Sequence, residues 1–137
     1  MKHGDFTALA KEYVNRPGYS RQVLRMIGRT AGMDRREFLV ADVGAGTGKL
    51  TEELAALGCT GYAVEPNDAM RAEGEKIPAL RGKFIWQKGF AEHTELPSAT
   101  FDWVLMGSSF HWANTEEALQ EFRRILKQIG RASCRER

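Results

Sequence analysis

The residues best suited to chemistry stand where the segment LVADV, residues 39–43, runs into a loop with three glycines at alternate positions. The apolar character of this segment predicts a strand buried on both faces, as in the middle of a parallel sheet. Gly44, Gly46 and Gly48 leave the backbone open to close approach by a ligand. A strand, a glycine loop and the start of a helix together present N–H groups and a positive dipole end, which suit a carboxylate or phosphate.

The acid inside this pattern, Asp42, narrows the choice of ligand. A dinucleotide fingerprint requires Gly-x-Gly-x-x-Gly, and its third glycine is replaced here by Lys49. The spacing Asp-x-Gly-x-Gly-x-Gly instead resembles the first motif of the class I S-adenosylmethionine (SAM) dependent methyltransferases. The methionine end of SAM carries an ammonium group as well as a carboxylate, so an acid beside backbone amides suits it, whereas that acid would repel a pyrophosphate. The alternative is a glycine turn that merely connects strand and helix. The resemblance implies SAM as the cofactor, held by Asp42, Gly44, Ala45, Gly46 and Gly48.

A second acid, Glu65, ends the next predicted strand. About 20 residues after a glycine loop of this kind, a carboxylate is placed to accept the ribose hydroxyls of an adenosine. The methyltransferase family has an acid at this position too, and VEPNDAM, residues 64–70, resembles its usual run. The resemblance implies that Pro66 lines the site and that Met70 packs on the adenine face; the alternative for Met70 is the core.

The run GFAE, residues 89–92, followed by Leu-Pro and Phe-Asp, resembles a later motif of the same family. In many relatives an acid in this turn binds the adenine amino group while a neighbouring amide meets a ring nitrogen. The resemblance thus implies adenine contacts for Glu92 and Ala91. Many relatives carry Asp where this chain has Phe90, and a solvated loop glutamate is the alternative for Glu92.

The segment GSSFHW, residues 107–112, follows the fourth predicted strand, and its Phe-His-Trp resembles one branch of the small-molecule SAM-dependent methyltransferases. A histidine ordinarily titrates near neutrality, so His111 is the candidate general base for an attacking hydroxyl or amine. Lining of the active site, or a structural pair with Trp112, are its alternatives. Gly107 and Ser108 are expected beside the cofactor.

The N-terminal segment EYVNRPGYS, residues 12–20, also resembles the family, whose N-terminal segment folds over the cofactor. The resemblance implies that Arg16 or Tyr13 holds the methionine carboxylate. A surface arginine and a turn tyrosine are the alternatives.

Strands alternating with helices predict the elements that position these residues: a Rossmann-like, doubly wound parallel sheet in three α/β/α layers. The predicted strands are residues 38–43, 60–64, 84–86 and 101–106. The predicted helices are residues 6–13, 20–32, 49–58, 67–76 and 114–126. Apolar stripes are expected at Val23, Leu24, Ile27 and Ala31 and at Ala118, Leu119, Phe122, Ile125 and Leu126.

Composition sets the remaining bounds. The 137 residues, 42% hydrophobic and 28% charged, allow one domain. No stretch approaches the roughly 20 apolar residues of a membrane span, and the start lacks a signal peptide's apolar core, which favours a cytoplasmic protein. Cys59 and Cys134 lack metal or redox spacing, so no metal is expected. A net charge of +2 without basic–aromatic interleaving argues against nucleic acid.

The last residues, IGRASCRER (129–137), resemble a widely used short-read sequencing adapter translated in one frame. A codon for Gln128 ends in the two bases that precede the adapter sequence. The methyltransferase family usually continues Lys-Pro-Gly-Gly at this place. We therefore divide the chain into residues 1–128, the SAM-binding part of a methyltransferase domain, and residues 129–137, a non-native tail; a natural basic tail is the alternative. On this interpretation the C-terminal strands of the sheet are missing. The tail has no apolar period, so we expect it to supply no strand and to leave the fourth strand as an edge.

The resemblance covers nearly all of residues 5–127. It implies an enzyme that transfers a methyl group from SAM to a small-molecule acceptor, with O- or C-methylation favoured. An NAD-dependent Rossmann oxidoreductase is one alternative, and Lys49 and Asp42 count against it. A non-catalytic SAM-binding protein is the other.

Overall fold

One parallel sheet organises the chain in the computed structural model, which describes residues 20–35, 37–107 and 114–134. Its strands are β1 (Leu39–Val43), β2 (Thr60–Val64), β3 (Phe84–Gln87), β4 (Phe101–Met106) and β5 (Leu126–Cys134). Their order is β3-β2-β1-β4-β5, and every neighbouring pair is parallel. Strand order thus reverses between β1 and β4, the place where open α/β sheets bind their ligands.

The described residues include four α-helices, one before β1 and three between strands, and side-chain caps fix where three of them begin. The helices are α1 (Arg21–Ala31), α2 (Lys49–Ala56), α3 (Asp68–Glu75) and α4 (Thr115–Ile125). Ser20, Asn67 and Asn114 accept a hydrogen bond from an N–H in the first turn of α1, α3 and α4, as helix N-caps do. A short 3-10 helix at Pro78–Leu80 was not predicted from the sequence.

Apolar side chains cover both faces of the sheet, which confirms the three-layer α/β/α architecture. Alternate residues of a strand point to opposite faces, so Val40 joins Leu54 and Trp103 in the core beneath α1 and α2. Ala41 and its neighbours on the other face pack with Phe122 of α4. Both clusters are buried, as a central parallel sheet requires.

Three residues assigned to apolar stripes lie at the surface instead. Val23 and Ile27 of α1 and Leu119 of α4 are each about 40% exposed or more. In α1 the buried residues are Leu24, Gly28 and Ala31. The strip of α1 that packs on the sheet is therefore narrower than the stripe of apolar residues predicted from the sequence. The stripe prediction was wrong for these three because a helix packed on a sheet buries one strip of its surface, whatever apolar residues flank it.

The expectation that residues after 128 supply no strand was wrong. Leu126–Cys134 forms β5, which pairs with β4 from Phe101↔Leu126 to Met106↔Cys134, so β4 is an inner strand. Pairing along a strand edge uses backbone N–H and C=O groups, and it requires no apolar period in the added segment. The register shifts between Phe101 and Trp103. The proposed division of the chain at residue 128 stays a prediction.

In the part of the chain that the structure describes, no helix is long and apolar enough to cross a membrane.

Candidate functional site

The glycine loop and both acids meet at the carboxyl edge of the sheet. The register pairs Val43 at the end of β1 with Val64 at the end of β2, so the loop after β1 lies beside Glu65. Gly107 follows β4 on the other side of the loop and is buried. The topology therefore brings together the residues that the sequence placed at the ends of three different strands.

The loop after β1 requires glycine because its backbone is left-handed at three positions. Gly44, Gly46 and Gly48 have φ of 70°, 61° and 95°, a region that side chains with a Cβ rarely adopt. A Cβ on Gly48 would also lie 3.1 Å from Ile77 and 3.2 Å from Trp86. The loop is thus fixed by backbone conformation and by the side chains packed beneath it.

Four N–H groups of this loop already have partners inside the protein. The N–H groups of Gly44 and Ala45 donate to the carbonyl of Val64 (2.8 and 2.9 Å), and that of Gly48 donates to the carbonyl of Ala45. The N–H of Gly46 donates to Glu65 Oε1. The loop therefore uses these four amides to hold its own shape, and the prediction that its amides face an anionic ligand stays untested.

Glu65 ties the two strand ends together. Its Oε1 accepts from the N–H of Gly46 and its Oε2 from the N–H of Asn67, both at 2.8 Å. Arg71 of α3 donates to the Glu65 carbonyl at 2.9 Å. These two backbone bonds hold the Glu65 carboxylate between the loop after β1 and the start of α3.

Asp42 is the more deeply buried acid. It is 1% exposed, and its Oδ2 accepts from Thr51 Oγ1 of α2 at 2.6 Å. Its Oδ1 has no hydrogen-bond partner among the described residues. Burial raises the pKa of Asp42 from 3.8 to about 7; the Thr51 hydroxyl opposes this shift, and the nearby Glu65 carboxylate adds to it.

Sequence reasoning missed two threonines at this edge. Thr51 binds Asp42, and the buried Thr47 hydroxyl has no hydrogen-bond partner among the described residues. The available signal for Thr51 was its place in the first turn of the helix that follows the loop, on the side facing the strand. Nothing in the residue pattern distinguishes Thr47 from a turn threonine.

The turn after β3 is joined to the start of α4. Asn114 donates its N–H to Glu92 Oε2 at 2.9 Å, and Ala91 is buried in the core. Further along, Glu121 of α4 accepts from both the N–H and the hydroxyl of Thr94. Arg124 binds Glu121 and also donates to the Leu96 carbonyl. The segment with the predicted adenine contacts is therefore held in place by α4.

The remaining predicted site residues divide into two groups. Pro66 is partly exposed just after Glu65, and Met70 is 2% exposed, so Met70 offers a ligand almost no surface in this conformation. Tyr13, Arg16, Ser108 and His111 lie outside the described residues.

At this edge the site presents acceptors rather than donors. Two buried carboxylates lie beside a loop in which four N–H groups donate to other atoms of the protein. Asp42 Oδ1 accepts no hydrogen bond from any described residue. Fold and site together define a Rossmann-like domain with two buried acids beside a glycine loop at the carboxyl edge of its sheet.

Comparison with known proteins places this domain in a family. The methyltransferase domain family matches residues 41–134, more than half of the chain. The chain therefore belongs to that family, as its first motif indicated.

Individual relatives agree with this assignment. An uncharacterized methyltransferase of Mycobacterium bovis is 36% identical over 96 residues, 67% of this chain and 37% of that protein. An uncharacterized methyltransferase of Schizosaccharomyces pombe is 28% identical over 130 residues, 91% of this chain and 49% of its own length. The chain thus spans half or less of these two relatives.

Solved structures share the fold. The YcgJ protein of Bacillus subtilis aligns with a TM-score of 0.70 at 26% identity, covering 82% of this chain and 49% of that one. A SAM-dependent methyltransferase of Aquifex aeolicus aligns with a TM-score of 0.71 at 21% identity, covering 88% and 67%. At the latter identity the likeness shows the fold alone.

Proposed function

We propose that this domain binds SAM and transfers its methyl group to a small-molecule acceptor. The observation that carries the proposal is the buried Asp42, whose Oδ1 lacks a hydrogen-bond partner among the described residues and which lies near the Glu65 carboxylate. SAM supplies an ammonium group and two ribose hydroxyls as donors. A pyrophosphate would instead need the loop amides that Val64, Ala45 and Glu65 already occupy.

The residues present fit SAM as follows. Asp42 takes the ammonium group through Oδ1, and Glu65 accepts the ribose hydroxyls while its backbone bonds hold it in place. The glycine loop allows the cofactor to approach the backbone. The adenine would lie toward the turn of Ala91 and Glu92, with Pro66 on its other side; Met70 is buried beneath it in this conformation. By the same proposal Gly107 and Ser108 contact the cofactor, and Arg16 or Tyr13 binds its methionine carboxylate.

When bound, SAM supplies an electrophilic methyl group on a sulfonium sulfur. The protein's part is to orient cofactor and acceptor and to exclude water, which accounts for much of the acceleration in reactions of this kind. His111, in the segment after β4, is proposed to take the proton of an attacking hydroxyl or amine. We propose a small-molecule acceptor with an oxygen or carbon nucleophile. The net charge of +2 and the lack of interleaved basic and aromatic residues in the sequence argue against a nucleic-acid acceptor.

Calorimetric titration tests the cofactor assignment with two glycine variants. Gly46 and Gly58 both have positive φ (61° and 90°), and a Cβ on Gly58 meets nothing within 4 Å. Gly46→Ala and Gly58→Ala should each lose about 1–2 kcal/mol of stability through backbone strain. Only Gly46→Ala should also weaken SAM binding, because its added Cβ stands where the cofactor is proposed to approach the backbone of the loop.

We expect SAM to bind the wild type and NAD not to bind. Equal SAM affinity in the wild type and in Gly46→Ala contradicts the proposed site. Binding of NAD in preference to SAM contradicts the proposed cofactor. SAM binding without methyl transfer to any acceptor leaves the site intact and identifies a binding protein instead of an enzyme.

A further inference from the structure

Thr51 makes the closest polar contact with the buried acid of the site. Asp42 and Val40 point to the same face of the sheet, the face covered by α2, since alternate strand residues share a face. Thr51 is the third residue of α2, is fully buried, and places its Oγ1 2.6 Å from Asp42 Oδ2. The distance is that of a strong bond from a hydroxyl to a carboxylate.

This bond distinguishes the two oxygens of one carboxylate. Oδ2 is occupied by Thr51, whereas Oδ1 has no hydrogen-bond partner among the described residues. A hydroxyl has a single proton to donate, and the β-branched threonine has few side-chain conformations available in a helix. The carboxylate is therefore held in one orientation with a known oxygen free to accept.

We propose that Thr51 is a positioning residue for the cofactor, which binds one oxygen of Asp42 so that the other faces the ammonium group of SAM. The inference rests on the proposed function, because it assumes that SAM is the ligand. Thr51 itself does not touch the cofactor; it acts through Asp42.

The Thr51 bond also favours the ionised state that an ammonium group requires. Burial and the field of Glu65 both favour protonated Asp42, and the Thr51 hydroxyl opposes them. Without that hydroxyl the carboxylate would hold its proton to higher pH, and a protonated Oδ1 could not accept from a cation. SAM affinity should therefore fall as the pH drops below about 7, and loss of Thr51 should move this fall to higher pH.

The test compares two ligands on wild type, Thr51→Val and Thr51→Ser. SAM carries the amino-acid group, whereas 5′-methylthioadenosine has the same nucleoside without it. Thr51→Val keeps the side-chain shape and removes the hydroxyl, and Thr51→Ser restores it. Thr30→Val is the matched control, because the Thr30 hydroxyl bonds only a carbonyl of its own helix, at an exposed position.

We expect Thr51→Val to bind SAM about 10- to 100-fold more weakly, as for loss of a hydrogen bond to a charged group. Its affinity for 5′-methylthioadenosine should change less than about threefold, and this binding also shows that the variant folds. Thr51→Ser and Thr30→Val should bind both ligands within about threefold of wild type.

Three results overturn the inference alone. The first is unchanged SAM affinity in Thr51→Val, and the second is equal weakening of both ligands, which indicates a merely structural role. An unshifted pH profile of SAM affinity in Thr51→Val also overturns it. If the wild type fails to bind SAM at pH 8, the proposed function falls, and this inference falls with it.

Discussion

Replacing Asp42 by Asn should stabilise the ligand-free protein while it abolishes the cofactor site. Asparagine has the shape of aspartate, has no charge, and still accepts from Thr51. In the wild type, the pKa of Asp42 rises from 3.8 to about 7 on folding because the carboxyl is buried. A difference of that size means that ionised Asp42 destabilises the folded state by about 4 kcal/mol above pH 7.

The pH dependence follows from which state holds the proton. Between pH 3.8 and about 7 the folded protein keeps Asp42 protonated and the unfolded chain does not, so wild-type stability falls as the pH rises. The Asp42→Asn variant has no ionisable group at this position, so its stability does not fall for this reason as the pH rises. The two proteins should therefore be equally stable near pH 3.5, and the variant should lead by roughly 2 kcal/mol at pH 5.5 and about 4 kcal/mol at pH 8.

Urea unfolding of both ligand-free proteins at pH 4, 5.5 and 8 measures this difference directly. Ionisable groups that do not interact with Asp42 contribute equally to both proteins and cancel; Glu65, which does interact with Asp42, is the exception. Asp68→Asn is the control: Asp68 is exposed, and Arg71 and Lys88 hold its pKa below the usual range, so its variant should gain no stability at pH 8. A difference that does not change with pH, or an Asp42→Asn protein less stable than wild type at pH 8, refutes the reasoning. Calorimetry at pH 8 should also show at least tenfold weaker SAM binding.

Four further predictions concern other parts of the chain. Burial raises the pKa of Glu121, but hydrogen bonds from Arg124 and Thr94 outweigh this effect and lower the pKa to about 2. Glu121→Gln should therefore reduce the free energy of unfolding by roughly 1–3 kcal/mol at pH 7. Urea unfolding should show this reduction shrinking as the pH falls from 4.5 to 2. Gly61→Ala, whose Cβ would lie 1.8 Å from a carbonyl oxygen of β1, should lose about 3 kcal/mol or more, whereas Gly82→Ala, in open space, should lose about 1 kcal/mol by the same measurement. His111→Ala should lower methyl-transfer turnover about 10²- to 10⁴-fold with SAM affinity within about threefold; full turnover would exclude a role as base. Residues 129–137 should be absent from the uninterrupted reading frame of the source DNA, and their presence in that frame would identify a natural tail.

Local patterns predicted the first four strands and the four helices of the described residues to within two residues at each end. The strands Thr60–Val64 and Phe101–Met106 have the bounds that their apolar runs predicted. Ser20, Asn67 and Asn114, where three of the predicted helices begin, are the N-caps of the observed helices. Such features depend on neighbouring residues alone, through apolar periodicity and side-chain capping of free N–H groups. The β5 strand escaped prediction because its pairing depends on the edge of β4, which no local pattern describes.

The sequence by itself determined that a glycine loop and two acids would meet at one edge of a parallel sheet, because strand direction and chain order place them there. Tertiary structure alone decided what each group does. It assigned the loop amides to Val64 and Glu65, gave one oxygen of Asp42 to Thr51, and left the other without a partner among the described residues. These contacts join residues from different elements, and burial sets the charge of Asp42. Neither the partner of a polar group nor the depth of its burial is encoded in its neighbours along the chain, so both emerge only when the chain has packed.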